Sequence, residues 1–262
     1  MSDPSLLSPG QSRPSSARLQ PVEVLLLLVC LGFLFAFSRL EVAPRYPAPP
    51  DFGQMTVEEK KRQFFAYLSP IITELNFQLA ADRDRVRALR TARQRGDRLS
   101  WSDRRWLGRL AIELEVPLEE IGLDEGLEIM ERRAGIVPES IVLVQAAVES
   151  GWGTSRFARE ANNFFGQRCY RPNCGITPLE RPAGSRFGLA EFASVEESIE
   201  SYIMNLNTHE SYGEFREMRL RRRNSGEPIT GLSLVRGLEN YSERGDDYVE
   251  DIASMIRANG LE

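Results

Sequence analysis

The sequence predicts a mainly α-helical fold with a small β-hairpin lobe and an N-terminal helical extension. Two observations carry this. From Thr56 onward apolar residues return at helical intervals, segment after segment, and only one stretch, after Cys174, loses that period around an Arg-Pro-Ala-Gly turn. A third observation sets the first fifty residues apart: Val24 to Phe37 is an unbroken apolar run, preceded by Ser, Pro and Arg and followed by prolines.

Composition bounds the rest. The chain has 262 residues, 42% apolar and 27% charged, in the range of ordinary globular proteins. A net charge of −5 gives no general reason to expect nucleic acid as a partner. With three cysteines and one histidine, a zinc-finger array is excluded and a His-rich metal site is not expected.

Residues 1–21 read as a disordered cytoplasmic N-terminus. Residues 22–38 hold the apolar run, bracketed by Glu23 and Arg39. Its fourteen uncharged residues fall short of the roughly twenty of a full span and suit the core of a secretory signal. Arg13 and Arg18 keep the N-terminus inside, which makes the segment a signal anchor, or else a cleaved signal peptide. Val29 is too bulky to precede a lipidated Cys30. Residues 39–54, including Ala-Pro-Arg-Tyr-Pro-Ala-Pro-Pro, read as an extended, semi-rigid linker.

Residues 55–134 form the helical extension. Thr56 precedes Glu59 at capping-box spacing, and Phe64, Phe65, Leu68, Ile71, Ile72 and Leu75 follow at helical intervals. Pro70 is expected to kink or interrupt this helix. Arg83 to Arg109 contains ten arginines against three acids, most simply a solvated helix face rather than an anion-binding surface. Ser100 or Ser102 opens the next helix, with Asp103 in its first turn, and Leu118 to Arg133 resumes the period.

Residues 135–262 form the remaining domain. Its first helix, Val137 to Ser150, is apolar nearly all round and is therefore expected to be buried, with Pro138 in its first turn and Ile141, Val144, Ala147 and Val148 on one face. Glu149 sits at its C-terminal end. There the helix dipole and burial both oppose ionisation, so both raise its pKa. A carboxyl that stays protonated near neutrality is what acid-catalysed cleavage of a glycosidic bond needs. Gly151 can take the left-handed conformation that ends the helix. Further on, Ser194 and Glu197 mark another helix start, with Ile199, Tyr202, Ile203 and Leu206 inside. His209 is read as a structural hydrogen-bonding residue in preference to a catalytic one. Asp246 to Asn259 is the last helix, with Tyr248, Ile252, Met255 and Ile256 read as core.

Gln145-Ala146-Ala147-Val148-Glu149-Ser150-Gly151-Trp152-Gly153, followed by Asn162-Asn163-Phe164-Phe165-Gly166, resembles the bacterial glucosaminidases, glycoside hydrolase family seventy-three, and most of all their Bax-type members from Gram-negative bacteria. Asn205 to His209 and Tyr241 to Gly245 extend the match, which covers roughly residues 55–261. The resemblance implies a lysozyme-like catalytic domain. It also implies an endo-beta-N-acetylglucosaminidase acting on peptidoglycan glycan strands, with Glu149 as general acid and no metal or organic cofactor. Tyr241 corresponds to a tyrosine near the scissile bond. A second carboxylate is expected on the hairpin lobe, where Glu180 is preferred to Glu191. Gln145, Trp152, Asn163 and Phe165 are the expected substrate-binding residues, although Trp152 taken alone suits core packing better and the Asn162-Asn163 pair equally suits bonding to the loop backbone. Cys169 and Cys174, five apart, would close a disulfide in an oxidising periplasm. The expected location is the inner membrane, single-pass, with the catalytic domain in the periplasm. A lytic transglycosylase and an inactive glycan-binding scaffold are the alternatives.

Overall fold

The structure is a computed structural model, and it describes residues 45–169, 174–176 and 188–262. The N-terminal tail, the apolar run and Glu180 lie outside the described residues. Among those described, no helix is long and apolar enough to cross a membrane.

The described chain, from Tyr46 on, is one compact unit. It opens with the end of the proline stretch laid on the first helix: Tyr67 donates to the Pro47 carbonyl at 2.8 Å and Tyr46 to that of Pro70 at 3.4 Å. Helix α1, Val57–Gln94, runs 38 residues without interruption. Thr56 caps it by accepting from Glu59 N, while the Glu59 carboxylate turns instead to Gln63 and Arg62, so only half of a capping box forms. The expected break at Pro70 does not occur. Proline removes one backbone bond, to the Ala66 carbonyl, at a cost of about 3 kcal/mol. Leu68, Ile71 and Ile72 are fully buried on either side of it, and burial of each contributes about 1.5–3 kcal/mol. Packing wins over the missing bond.

The two halves of α1 belong to different cores. Phe64, Leu68, Ile71, Ile72 and Leu75 join the main core; Val86 joins a smaller one. That smaller core is built with helix α2 (Trp101–Glu113), helix α3 (Leu118–Ile121) and helix α4 (Leu123–Arg133). Ser100 is the cap of α2, accepting from Asp103 N at 3.1 Å. Gly122, at φ +81°, divides the expected single helix over 118–133 into α3 and α4. Part of the arginine-rich stretch is spent on this layer. Arg85 pairs with Asp103 and lies over Trp106, Arg90 pairs with Glu128 and Glu131, and Arg93 with Asp124.

The main core surrounds helix α5, Glu139–Ser150, every residue of which from Ser140 to Ala147 is buried. Pro138 stands at its cap rather than inside it. Val148 is 41% exposed, so the expected apolar face ends at Ala147. The approach to α5 is fixed from two sides. The Asn76 amide accepts from Val137 N at 2.9 Å and donates to Val137 O at 2.8 Å. Fully buried Arg219 donates to the carbonyls of Arg132, Gly135 and Ile136 and to Asn207 Oδ1. Burial, with Arg223 and Arg216 nearby, pushes its pKa down to about 9, so it remains charged at neutral pH.

Short helix α6 (Arg156–Ala161) leads to a three-stranded antiparallel sheet. Its strands are β1 (Arg168–Cys169), β2 (Gly175–Ile176) and β3 (Gly188–Ala190), in the order β1-β3-β2. The hairpin read from the sequence is thus β2 and β3, and β1 is an additional strand on the open edge of β3. Helix α7 (Val195–Thr208) returns to the core. Helix α8 (Gly213–Ser225), helix α9 (Gly231–Leu234) and a 3-10 stretch, Val235–Tyr241, lead to helix α10 (Asp246–Ala258), which packs on α5.

Candidate active site

The Glu-Ser-Gly-Trp-Gly segment is a helix end folded sharply back. Ser150 closes α5 by donating to Ala146 O at 2.6 Å and accepting from Gly153 N at 2.7 Å. Gly151, Trp152 and Gly153 then follow in the left-handed region, at φ +57°, +58° and +74°. Only glycine suits the last position, because a Cβ there would stand 2.4 Å from Phe52 Cδ2. This turn leaves Glu149 at the rim of a cleft of about 1200 Å³, lined also by Phe165, Gly166, Asn205, Tyr212, Tyr241 and the turn from Ser242 to Gly245.

Glu149 is half-buried. Burial pushes its carboxyl above the usual carboxylate range, and a hydrogen bond from Tyr248 pulls the other way. That bond runs from the Tyr248 hydroxyl to Glu149 Oε1 at 3.0 Å. Tyr248 itself is held far above the ordinary phenol value by burial and by the Glu149 carboxylate, so it keeps its proton and donates. Tyr241 stacks on Tyr248, with ring centroids 5.6 Å apart and planes 9° from parallel, and its hydroxyl donates to the Phe165 carbonyl at 3.2 Å. The result is a carboxylic acid with one oxygen bonded and an open cleft before it, which can deliver a proton.

The expected site residues divide. Glu149, Tyr241 and Phe165 meet at the cleft. Gln145 is fully buried behind it, between Tyr202 and Tyr248. Trp152 lies away from the cleft lining, in contact with Phe64 and Phe65 and with Lys61 over its ring. Asn163 is 1% exposed. Its amide is spent on the loop, donating to the Gln167 and Ala190 carbonyls and accepting from Phe165 N and Gln167 N. His209 touches the cleft, but its Nδ1 accepts from Ser211 N at 3.2 Å, capping the next turn. Cys169, in β1, and Cys174, just before β2, are joined by a disulfide. Glu191 is exposed and not among the cleft residues.

Three residues were not singled out from the sequence. Tyr248, read as core, is a direct partner of Glu149. Glu239 and Glu243 are the acids that accompany Glu149 in the cleft among the described residues. The spacing from Tyr241 to Tyr248 was the available signal, since it carries two phenols from a turn into the first turn of a helix. Among the described residues no group of three His, Cys, Asp or Glu side chains is arranged to hold a metal.

Residues 126–261 match the glucosaminidase family, described as mannosyl-glycoprotein endo-beta-N-acetylglucosaminidase. With that match and the relative below, the chain belongs to the glucosaminidase family and is an enzyme of the glycosidase type. Among curated proteins it is similar to protein bax of Escherichia coli (strain K12): 32% identical over 200 residues, 76% of this chain and 70% of that one. No solved structure matches the chain.

Proposed function

We propose that the protein is a peptidoglycan hydrolase, an endo-beta-N-acetylglucosaminidase that cleaves the glycan strand after N-acetylglucosamine with Glu149 as general acid. The observation that carries this is the half-buried Glu149 carboxyl, with one oxygen bonded by Tyr248, lining an open cleft, and pushed upward in pKa by burial. Glu149 protonates the glycosidic oxygen as the bond breaks, and positive charge develops at the anomeric carbon. That charge is met by a carboxylate, by an activated water or by the acetamido oxygen of the sugar itself. Glu239 and Glu243 join Glu180 as candidates for the carboxylate. In this reading Tyr241, which lines the cleft, contacts the sugar beside the bond. The substrate lies outside the cytoplasmic membrane, so this reading includes export, with residues 22–38 as a membrane anchor.

The test is mass spectrometry of peptidoglycan digested with the protein and with Glu149→Gln. The expected product has reducing N-acetylglucosamine ends. Loss of the general acid is expected to lower the rate roughly 10²–10⁴-fold in a folded variant. Anhydro-muramic ends would make the protein a lytic transglycosylase instead. Near-normal cleavage by folded Glu149→Gln would remove Glu149 from its role, and binding without cleavage by the wild type would leave a scaffold.

A further inference from the structure

Behind Glu149 the protein buries a chain of polar side chains that proton donation does not by itself require. Tyr202 comes from α7, Gln145 from α5 and Tyr248 from α10, and they are 1%, 0% and 4% exposed. The chain runs one way. The Tyr202 hydroxyl donates to Gln145 Oε1. Gln145 Nε2 donates to the Tyr248 oxygen at 2.9 Å, and the Tyr248 hydroxyl donates to Glu149 Oε1 at 3.0 Å. Its direction is decided at the far end. With Tyr202 on the amide oxygen, Gln145 has only its NH₂ to turn toward Tyr248. A phenol oxygen that receives an N–H bond has one proton left to give, and the acceptor beside it is Glu149.

The rings are clamped as well. Phe165 stacks on Tyr202 with centroids 4.0 Å apart and planes 9° from parallel. Tyr241 stacks on Tyr248 and bonds to the Phe165 carbonyl. Phe165, Tyr202, Gln145, Tyr248 and Tyr241 therefore form a closed frame. Hydrocarbon of the same shape would fill this space without needing matched partners, so the polar chain calls for another reason.

We propose that Tyr202, Gln145 and Tyr248 are positioning residues that occupy Glu149 Oε1 and so leave Oε2 alone to carry the transferable proton into the cleft. The inference rests on the reading of Glu149 as general acid. An oxygen that accepts the Tyr248 proton is the poorer place for the carboxyl's own hydrogen, which goes to the other oxygen. Oε2 is that oxygen, and it lies 3.8 Å from where a Cβ on Gly166 would stand; Gly166 lines the cleft. The chain also spreads the negative charge that Glu149 acquires once the proton has left. It thus offsets part of the effect of burial and keeps the acid strong enough to donate.

The test titrates Glu149 directly. In the full chain, labelled with ¹³C at the glutamate carboxyl carbon, the Glu149 midpoint is measured by NMR in the wild type, Tyr248→Phe, Gln145→Met and Tyr202→Phe. Each variant is first checked by its thermal melt. Removing a donor to the carboxylate disfavours the charged form, so the midpoint rises, by about one pH unit in Tyr248→Phe. Gln145→Met and Tyr202→Phe are expected to shift it the same way by less, because they loosen the chain without removing its last bond. The alkaline limb of peptidoglycan cleavage should rise with the midpoint. An unmoved midpoint in folded Tyr248→Phe overturns the proposal, and so does a shift confined to Tyr248→Phe, which would leave Gln145 and Tyr202 as ordinary packing. Should the wild type fail to cleave peptidoglycan, the general-acid reading fails, while the titration still decides whether the chain sets the proton on Glu149.

Discussion

Gly153 and Glu149 sit four residues apart and were legible for different reasons. Glu149 is a carboxylate at the end of an apolar helix, an arrangement no stability argument favours, so its chemistry showed in the sequence. Gly153 showed only as a turn residue, because the atom that forbids a side chain there belongs to Phe52, a hundred residues earlier. An alanine at 153 would be strained at φ +74° and would press its Cβ into the Phe52 ring, which is itself held against Phe64. We expect Gly153→Ala to cost about 2–4 kcal/mol, read from urea unfolding, with cleavage falling further than the folded fraction does because the turn sets Glu149 at the rim. A loss under about 0.5 kcal/mol, within the range of neutral surface changes, would mean the turn is softer than this. Tyr248 was hidden differently. Its spacing with Val249, Ile252 and Ile256 is the spacing of any core residue, and nothing in periodicity separates a phenol that fills space from one that holds a carboxyl 99 residues away.

At the scale of elements, the helices were readable and their joins were not. Caps at Thr56, Ser100 and Ser194 stand where local side chains dictate, since a cap needs only its next three residues. Continuity through Pro70 depends on burial of Leu68, Ile71 and Ile72, which the local pattern does not price. Strand β1 pairs Arg168 with Leu189 and Cys169 with Gly188, and a two-residue strand has no pattern of its own to read. The join between α1 and α5 is likewise non-local. Asn76 meets both backbone groups of fully buried Val137, 61 residues away. Asn76→Leu would leave that N–H and C=O unpaired, at about 1–3 kcal/mol for each buried group. We expect the variant to lose roughly 2–4 kcal/mol in denaturant unfolding and to loosen amide protection at the start of α5 before elsewhere. Asn76→Asp, which keeps one of the two bonds, should lose less; an equal loss would assign the cost to charge and not to the clamp.

For the molecule as a whole, the arginine-rich stretch shows what composition can settle. Ten arginines between 83 and 109 suggest an anionic partner until the acids of α2 and α4 are placed against them. Arg85, Arg90 and Arg93 then have acid partners within the fold. Location is a separate question, and three features of the chain bear on it together. The apolar run from Val24 to Phe37 has arginines before it and prolines after it. Cys169 and Cys174 are bonded, and such a pair persists in an oxidising compartment and is reduced in the cytoplasm. The proposed substrate exists only outside the cytoplasmic membrane. We therefore expect a reporter fused after Glu262 to be active only in a form that works in the periplasm. Thiol labelling of the exported protein should reach Cys169 and Cys174 only after reductant. Labelling at both without reductant, with a C-terminal reporter active in the cytoplasm, would separate the enzyme from its substrate by a membrane, and the hydrolase reading would fall with the topology. Release of an oxidised, active protein by osmotic shock would preserve the enzyme and correct only the anchor, since a cleaved segment and a retained one deliver the same cleft to the same side.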